Sequence, residues 1–269
     1  MILLMIGMGI ALSLAMAGGW WFQWRMGNAG WVDVVWTFAT GAVAAGGALW
    51  PLGMSVTLRS LCLALMAAVW AARLGLHLRA RVRSRPEDAR YAGFRRDWGE
   101  NFQWRLFWFL QIQAAAAWLL AIAMAVAARN PAQGFRWIDA VGLAILVVSI
   151  VGAGIADRQL ACFAARPENK GGVCDSGLWS WSRHPNYFFE FLGWCAWPLF
   201  AIGSDWGRDW PWGWLALAAP ALMYWLLVHV SGIPPLEKSM RESRGDAWLA
   251  YARRVSAFVP MPPKSEVSP

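Results

Sequence analysis

The residues best suited to chemistry in this sequence crowd into one short run, SRHPNYFFE, at positions 182–190. The run supplies a cation, an imidazole, an amide, a phenol and a carboxylate, from Arg183, His184, Asn186, Tyr187 and Glu190. It leads without a break into an apolar stretch, where such groups are costly unless they bind a ligand or a partner. A collar at a membrane interface, where Arg and aromatic residues collect, is the alternative. The density of donors and acceptors favours a ligand site.

A second polar run, DRQLACFAARPENKGG, precedes the first at positions 157–172. It contains Asp157, then Arg166, Asn169 and Lys170, and ends on two glycines. Glycines let a backbone approach a ligand closely, and cations suit phosphate oxygens. The run has neither a Walker A loop nor a GxGxxG motif after a strand, so it fits no soluble nucleotide fold. The run therefore suits the phosphate of a ligand.

Three further polar residues lie in or beside apolar stretches. Asp33 stands near the start of one stretch, as an interfacial acid or as an inward-facing acid with a partner from another helix. His77 lies four residues after Arg73, so the two share a helix face, and His77 could simply be solvated at the interface. Gln111 is either a structural bond between helices or part of a cavity wall.

The composition is that of a helical membrane protein. Of the 269 residues 58% are hydrophobic and only 15% are charged, which does not fit a soluble domain of this length. The four cysteines form no CxxC pair and the three histidines lie far apart, so we predict neither a disulfide framework nor a metal site. Most of the 22 tryptophans fall near the ends of apolar stretches, where indoles anchor at the membrane interface.

A bilayer span needs about 20 mostly apolar residues, and seven such stretches can be cut from the sequence. The sixth is short. The seven run over residues 2–21, 31–50, 56–76, 106–128, 138–160, 187–202 and 212–230.

The basic residues indicate how these spans are oriented. If the 73–105 connection is cytosolic, only Arg59, Arg129, Arg136 and Arg208 of the 24 Lys and Arg residues fall on the opposite side. This bias predicts an all-α, polytopic membrane protein with seven transmembrane helices, its N-terminus outside and its C-terminus cytosolic. It also accounts for the net charge of +8 through contacts with membrane lipids, so we expect no nucleic-acid partner. The oligomeric state is left open.

We expect a single integral membrane domain over residues 1–269. A basic cytosolic loop at 73–105 would bind lipid headgroups or close over a phosphorylated ligand. A cytosolic tail follows at 233–269, helical from Leu236 to Tyr251 and ended by prolines.

Three elements together carry a resemblance to a known family: DRQL…RPENKGG, then GLWSWSRHPNYFFE, and a tail of the form E…W..Y.RR.S.F.P. The chain resembles the steroid 5-alpha-reductase family, in its bacterial membrane branch, from Asp33 onwards. The resemblance implies a protein of the bacterial inner membrane with a cytosolic cofactor-binding loop over residues 161–186. Isoprenylcysteine carboxyl methyltransferases share a similar R-H-P-x-Y element. The PENKGG loop and the Asn-Tyr-x-x-Glu continuation are more similar to the reductases, and the methyltransferase tail usually has two adjacent acids where Glu237 is followed by Lys238.

The resemblance implies an oxidoreductase that uses NADPH to reduce a C=C bond conjugated to a ketone in an apolar, steroid-like or other lipid substrate. By position, Asn186 and Glu190 would hold the nicotinamide and ribose, with Tyr187 and Arg183 on the same wall. The full set that this implies for the cofactor is Asp157, Arg166, Asn169, Lys170, Arg183, His184, Asn186, Tyr187 and Glu190.

The other end of the cofactor would meet Asp157, Arg166 and Lys170. Arg166 and Lys170 are the choice for the 2′-phosphate, because NADP needs a cation where NAD needs an acid.

The substrate half departs from the family. Mammalian members use a Gln-Glu pair in an early span and a later Tyr around the substrate carbonyl, and this sequence has no Gln-Glu pair. A donor aimed at the carbonyl oxygen is needed as charge develops there. We predict that His77, oriented by Asp33, is this catalytic donor. Both residues should face one cavity beside Asn186 and Glu190. Gln111 should line the substrate cavity.

Two other functions fit the same residues. A methyltransferase that uses S-adenosylmethionine (SAM) on a lipid or prenylated substrate would use the basic loops for the SAM carboxylate and Glu190 for the ribose, and it would need no 2′-phosphate site. A lipid-binding or scaffold protein would bind no nucleotide at all.

Overall fold

The computed structural model describes residues 1–50, 56–84, 86–132, 134–203 and 207–264 of the chain. The last five residues of the predicted tail and position 85 of the predicted basic loop lie outside these ranges. Within them the chain forms helices and no named strand, and the only extended pairing is one bridge between Ser182 and Ser256. The predicted all-α class is confirmed for this part of the chain.

Nine α-helices are present in the described ranges. They are α1 (Ile2–Met26), α2 (Trp31–Leu49), α3 (Leu58–Ser84), α4 (Ala89–Trp98), α5 (Phe102–Ala128), α6 (Trp137–Ala164), α7 (Pro185–Ile202), α8 (Ala218–Trp225) and α9 (Ile233–Arg254). Short 3₁₀ turns occupy Gly99–Asn101, Pro167–Asn169, Gly177–Ser180 and Pro211–Leu217, and a π-helical turn occupies Leu226–Val230.

Six helical segments in the described chain are long and apolar enough to cross a membrane. They are Ile2–Met26, Trp31–Leu49, Leu58–Ser84, Arg90–Ala128, Trp137–Ala164 and Pro211–Arg254. The chain is therefore a membrane protein by the length and composition of its helices. Helix α7 occupies the sixth predicted span but is not among the six, and its first two turns carry Asn186 and Glu190.

The helices also differ in extent from the predicted ones. Helix α3 continues to Ser84, beyond the predicted end of its span, and α4 lies inside the predicted basic loop. Asp88 caps α4 by accepting a hydrogen bond from the Arg90 amide. Pro198 lies inside α7 without ending it. The tail helix α9 has a kink at Gly245, whose φ of 53° favours glycine.

The chain divides into two compact units. The first comprises Met1–Ala140 with Trp197–Ala219, and the second comprises Val141–Ala196 with Pro220–Pro269.

In the first unit small residues let helices approach closely. A Cβ atom added to Gly41 of α2 would lie 2.2 Å from the Cβ of Ala71 in α3, and one added to Gly47 would lie 3.0 Å from the sulfur of Met8 in α1. Small residues have this role at membrane helix interfaces because lipid supplies no hydrophobic force between helices. Close van der Waals contact must hold the helices together instead.

A buried ion pair ties the start of α3 to the chain between α5 and α6. Arg59 donates to Asp139 at 2.7 Å and to the carbonyls of Asn130, Ala132 and Gly134 at 2.8–3.1 Å. Arg136 donates to the other oxygen of Asp139 at 2.9 Å. The Arg59 and Asp139 side chains are 5% and 0% exposed. Arg59 and Arg136 therefore stabilise the interior of the unit. From the sequence they were predicted only as charges that mark one side of the membrane.

We expect Gly41→Ala to lower the melting temperature of the detergent-purified protein by several degrees, because the new methyl group would force α2 and α3 apart. Overpacking a well-packed contact costs about 1–3 kcal/mol. The matched control is Gly46→Ala in the same helix, where an added Cβ meets nothing within 4 Å. Equal melting temperatures for the two variants would contradict this account of the α2–α3 contact.

Candidate functional site

The run at 182–190 lies in the second unit, where the tail holds its first part. The Arg183 amide donates to the carbonyl of Ser256 at 2.8 Å, and the hydroxyl of Ser182 donates to the carbonyl of Phe258 at 2.8 Å. Just before the run, the carbonyl of Trp179 accepts a hydrogen bond from the Tyr251 hydroxyl of α9 at 2.6 Å. The residues before α7 are therefore fixed by α9 and the segment that follows it.

Glu237 of α9 is the common partner of Arg183 and His184. Its Oε1 atom accepts from Arg183 Nε at 2.7 Å and lies 3.0 Å from His184 Nε2, which donates in its Nε2-protonated tautomer. Arg183 Nη1 also donates to the carbonyls of Ala252 and Val255 at 2.9 and 2.8 Å. Charge-assisted bonds of this length are among the stronger ones in proteins.

Burial works against the charged form of His184 in this arrangement. His184 is 2% exposed, and its burial lowers its pKa, although the contact with Glu237 acts in the opposite direction. The ring stacks on Tyr187 with 5.5 Å between ring centroids. A histidine with a lowered pKa binds its proton less well in the folded state, so its contribution to stability is lost as the pH falls below about 6.5.

Arg183 and His184 thus orient the start of α7 through bonds to their own chain. Both were predicted to bind the cofactor, and Glu237 had no predicted role. The sequence does mark Glu237, because this residue opens the tail pattern E…W..Y.RR.S.F.P. Nothing in that pattern specifies which residues Glu237 contacts.

The first turns of α7 carry the remaining polar residues of the run. Asn186 Nδ2 donates to Asp157 Oδ1 of α6 at 3.1 Å, so the structure brings these two predicted residues together. Glu190, one turn further on, accepts from the indole of Trp194 at 3.1 Å. Asn186 and Glu190 are four residues apart and lie on one helix face. This face presents an amide and a carboxylate beside the Asp157 carboxylate.

The predicted phosphate loop follows α6 directly. Asn169 donates from Nδ2 to the carbonyl of Phe163 at 2.9 Å, so its amide closes the loop on itself. Gly171 has a φ of 85°, a conformation that favours glycine. Arg166 and Lys170 are exposed, and no hydrogen bond from either side chain is found within the described ranges. Both cations can therefore receive an anionic group.

The predicted catalytic acid, Asp33, belongs to the first unit. Its Oδ1 accepts from the hydroxyl of Tyr91 at 2.7 Å and its Oδ2 accepts from Arg90 at 2.9 Å. Tyr91 is 1% exposed. Neither Tyr91 nor Arg90 was a predicted site residue, because both lie in a segment that was predicted to be a basic loop.

The chain around this contact is fixed by a second carboxylate. Asp88 accepts from Arg90 Nε at 3.0 Å and from Arg81 at 2.7 Å. Burial would raise the pKa of Asp88, but the bonds and charges of these two arginines outweigh it and lower that pKa.

Two other predicted residues lie in the same unit. His77 is half-buried in α3. Gln111 in α5 accepts a hydrogen bond from the Ser13 hydroxyl of α1 at 2.7 Å, which gives it a structural role between two helices.

Comparison with known proteins assigns the chain to a family. The chain belongs to the family described as Protein of unknown function (DUF1295), whose profile matches residues 19–255. This range includes both polar runs and all of α9. No curated protein and no solved structure matches the chain.

We expect Glu237→Gln to destabilise the protein, because it removes the charge that Arg183 and His184 share. Breaking one side of a buried ion pair costs about 3–5 kcal/mol. Partial exposure of Glu237 and the amide that replaces it reduce this to roughly 2 kcal/mol, which corresponds to a fall of about 4–8 °C in melting temperature.

The control is Glu242→Gln, which changes an exposed carboxylate in the same helix. If both variants melt at the wild-type temperature, Glu237 does not hold the run in place.

Proposed function

We propose that this protein is a membrane reductase that uses NADPH to reduce a C=C bond conjugated to a ketone in an apolar substrate. The observation that carries the proposal is the arrangement of the two polar runs in the second unit. Two exposed cations follow α6, and the Asp157–Asn186 pair lies beside Glu190 at the start of α7. These are the residues on which the resemblance to the steroid 5-alpha-reductase family rests.

The residues present fit the chemical groups of NADPH. Arg166 and Lys170 suit the 2′-phosphate, since both are exposed cations on a short glycine-containing loop. Asn186 and Glu190 offer an amide and a carboxylate to the carboxamide and the ribose hydroxyls. Tyr187 belongs to the same wall in this proposal, and Asp157 keeps Asn186 oriented. Asn169 shapes the phosphate loop through its bond to Phe163.

Arg183 and His184 take a different role in this proposal from the one that the resemblance implies. Their bonds to Glu237, Ala252 and Val255 make them positioning residues for α7. A fixed helix start matters because reacting groups must be held within a fraction of an ångström.

When bound, the cofactor would supply a hydride for the β carbon of the enone, and a proton delivered to the α carbon would complete the reduction. The protein's own part is to hold the substrate, exclude water and stabilise the charge that develops on the carbonyl oxygen. Removing one donor to such an oxygen costs about 10²–10³ in rate. Asp33 and His77 remain the proposed catalytic pair, with Tyr91 added because its hydroxyl binds Asp33 directly. Gln111 remains the proposed substrate contact through its amide nitrogen, since its Oε1 accepts from Ser13.

The membrane topology in this proposal has seven spans, with α7 added to the six long apolar segments. The N-terminus lies outside and the basic connections and tail are cytosolic, in the bacterial inner membrane. The distribution of Lys and Arg supports this orientation.

The test is thermal unfolding of the detergent-purified protein with NADPH, NADH or SAM. A ligand that binds only the folded state raises its stability, by about 2.7 kcal/mol at one hundred times its dissociation constant. We expect NADPH to stabilise the protein more than NADH does. The double variant Arg166→Ala/Lys170→Ala should lose this preference for NADPH.

The matched control for the double variant is Arg253→Ala, which removes an exposed cation of α9 in the same unit. It should keep the preference for NADPH. Stabilisation by SAM alone would replace the proposal with a methyltransferase. An unchanged NADPH preference in the double variant would remove Arg166 and Lys170 from the site.

A further inference from the structure

A groove of about 700 Å³ runs along one face of α6 in the second unit. Pockets of about 300–1,000 Å³ are the size that small-molecule ligands occupy. Its lining includes Val151, Gly152, Ile155 and Gln159 of α6, Phe189 of α7, and Trp181. Gln159 is the only amide or charged side chain among the described lining residues. Its Oε1 atom already accepts from the Leu178 amide at 3.0 Å.

The walls of the groove are fixed by bonds that do not involve any occupant. The Ser149 hydroxyl donates to the carbonyl of Phe189 at 2.6 Å, which joins α6 to α7. A Cβ on Gly152 would lie 2.4 Å from the Phe189 ring, so the glycine is what lets the ring pack against α6. The Trp179 indole donates to the carbonyl of Ala156 at 3.0 Å, which joins the chain next to the lining residue Leu178 to α6. The groove is therefore a preformed concavity.

The surroundings of the groove indicate an apolar occupant. Helix α6 contains the most apolar of the six segments that can cross a membrane, and Val151 and Ile155 are 53% and 46% exposed. Side chains exposed on a spanning helix meet lipid hydrocarbon. A void along such a helix would forfeit the van der Waals contacts of its lining, and a flexible alkyl chain can restore them.

The shape and lining fit an alkyl chain better than a helix of another protein. A helix with its side chains is about 10–12 Å across and packs on stripes of small residues in membranes. The exposed face here presents branched side chains, Val147, Val148, Val151 and Ile155. These residues leave no flat seam of small residues along the groove.

A cation that suits a lipid phosphate adjoins the groove in the sequence. Arg158 directly precedes the lining residue Gln159 in α6, and its side chain is exposed. Trp181 also lines the groove, three residues after Leu178, whose amide binds Gln159, and it is 47% exposed. Tryptophan and arginine together are typical of the headgroup level of a membrane.

We propose that this groove is a binding site for one anionic phospholipid, with an acyl chain along Val151 and Ile155 and the phosphate at Arg158. The site lies along α6, and it does not depend on the proposed reductase activity.

The test uses native mass spectrometry of the protein in detergent with added dioleoyl phosphatidylglycerol or dioleoyl phosphatidylcholine. The wild-type chain should bind one phosphatidylglycerol more tightly than phosphatidylcholine. Ile155→Trp fills the groove and should weaken the binding of both lipids at least about tenfold. Arg158→Gln should abolish the preference for phosphatidylglycerol while both lipids still bind.

The matched control is Val141→Trp, which adds the same ring to an exposed position of α6 that does not line the groove. It should bind lipid as the wild type does. If Ile155→Trp does not fold, Val151→Trp fills the same space. Wild-type lipid binding by a folded groove-filling variant would overturn the proposal. So would displacement of the phospholipid by a steroid-like enone, since the groove would then belong to the substrate.

Discussion

The carboxylate of Glu237 is the contact on which the arrangement of the second unit depends. It accepts from Arg183 and from His184, the two residues that precede the start of α7. The same segment is bound along its backbone to the chain after α9, through Ser182 and Ser256. A carboxylate withdrawn from water is stable only when its partners replace that solvation, and here an arginine with three described acceptors does so. The tail is thus part of the scaffold of the polar run.

This constraint separates residues that position the site from residues that are available to a ligand. Arg183 and His184 make their described bonds to other residues of the protein. Arg166 and Lys170, in contrast, remain exposed on a loop that Asn169 closes. Asp157 and Asn186 connect α6 to α7 just where the polar run begins. The first unit follows the same rule: Asp33 is held by Tyr91 and Arg90, and Arg59 with Asp139 fixes the chain before α6.

The sequence predicts the helical class well because apolar stretches of 20 residues have few other folds available in a membrane. It also predicts a ligand site at the polar run, since charged and amide groups are rare at such positions. It does not predict what those groups touch. Glu237 lies 54 residues from Arg183, and no local pattern encodes that pairing. Tyr91 was missed for a related reason, because α4 is short and polar and has the composition of a loop.

The most direct test of the proposed reductase is to follow the transferred atom. Membranes that contain the protein would be incubated with NADPH deuterated at the transferred position and, in parallel, with methyl-labelled SAM. Lipids would then be extracted and analysed by mass spectrometry against membranes that lack the chain. The account predicts that deuterium from NADPH appears on carbon in an apolar product, only where the chain is present. Label from SAM in a lipid, with none from NADPH, would contradict it.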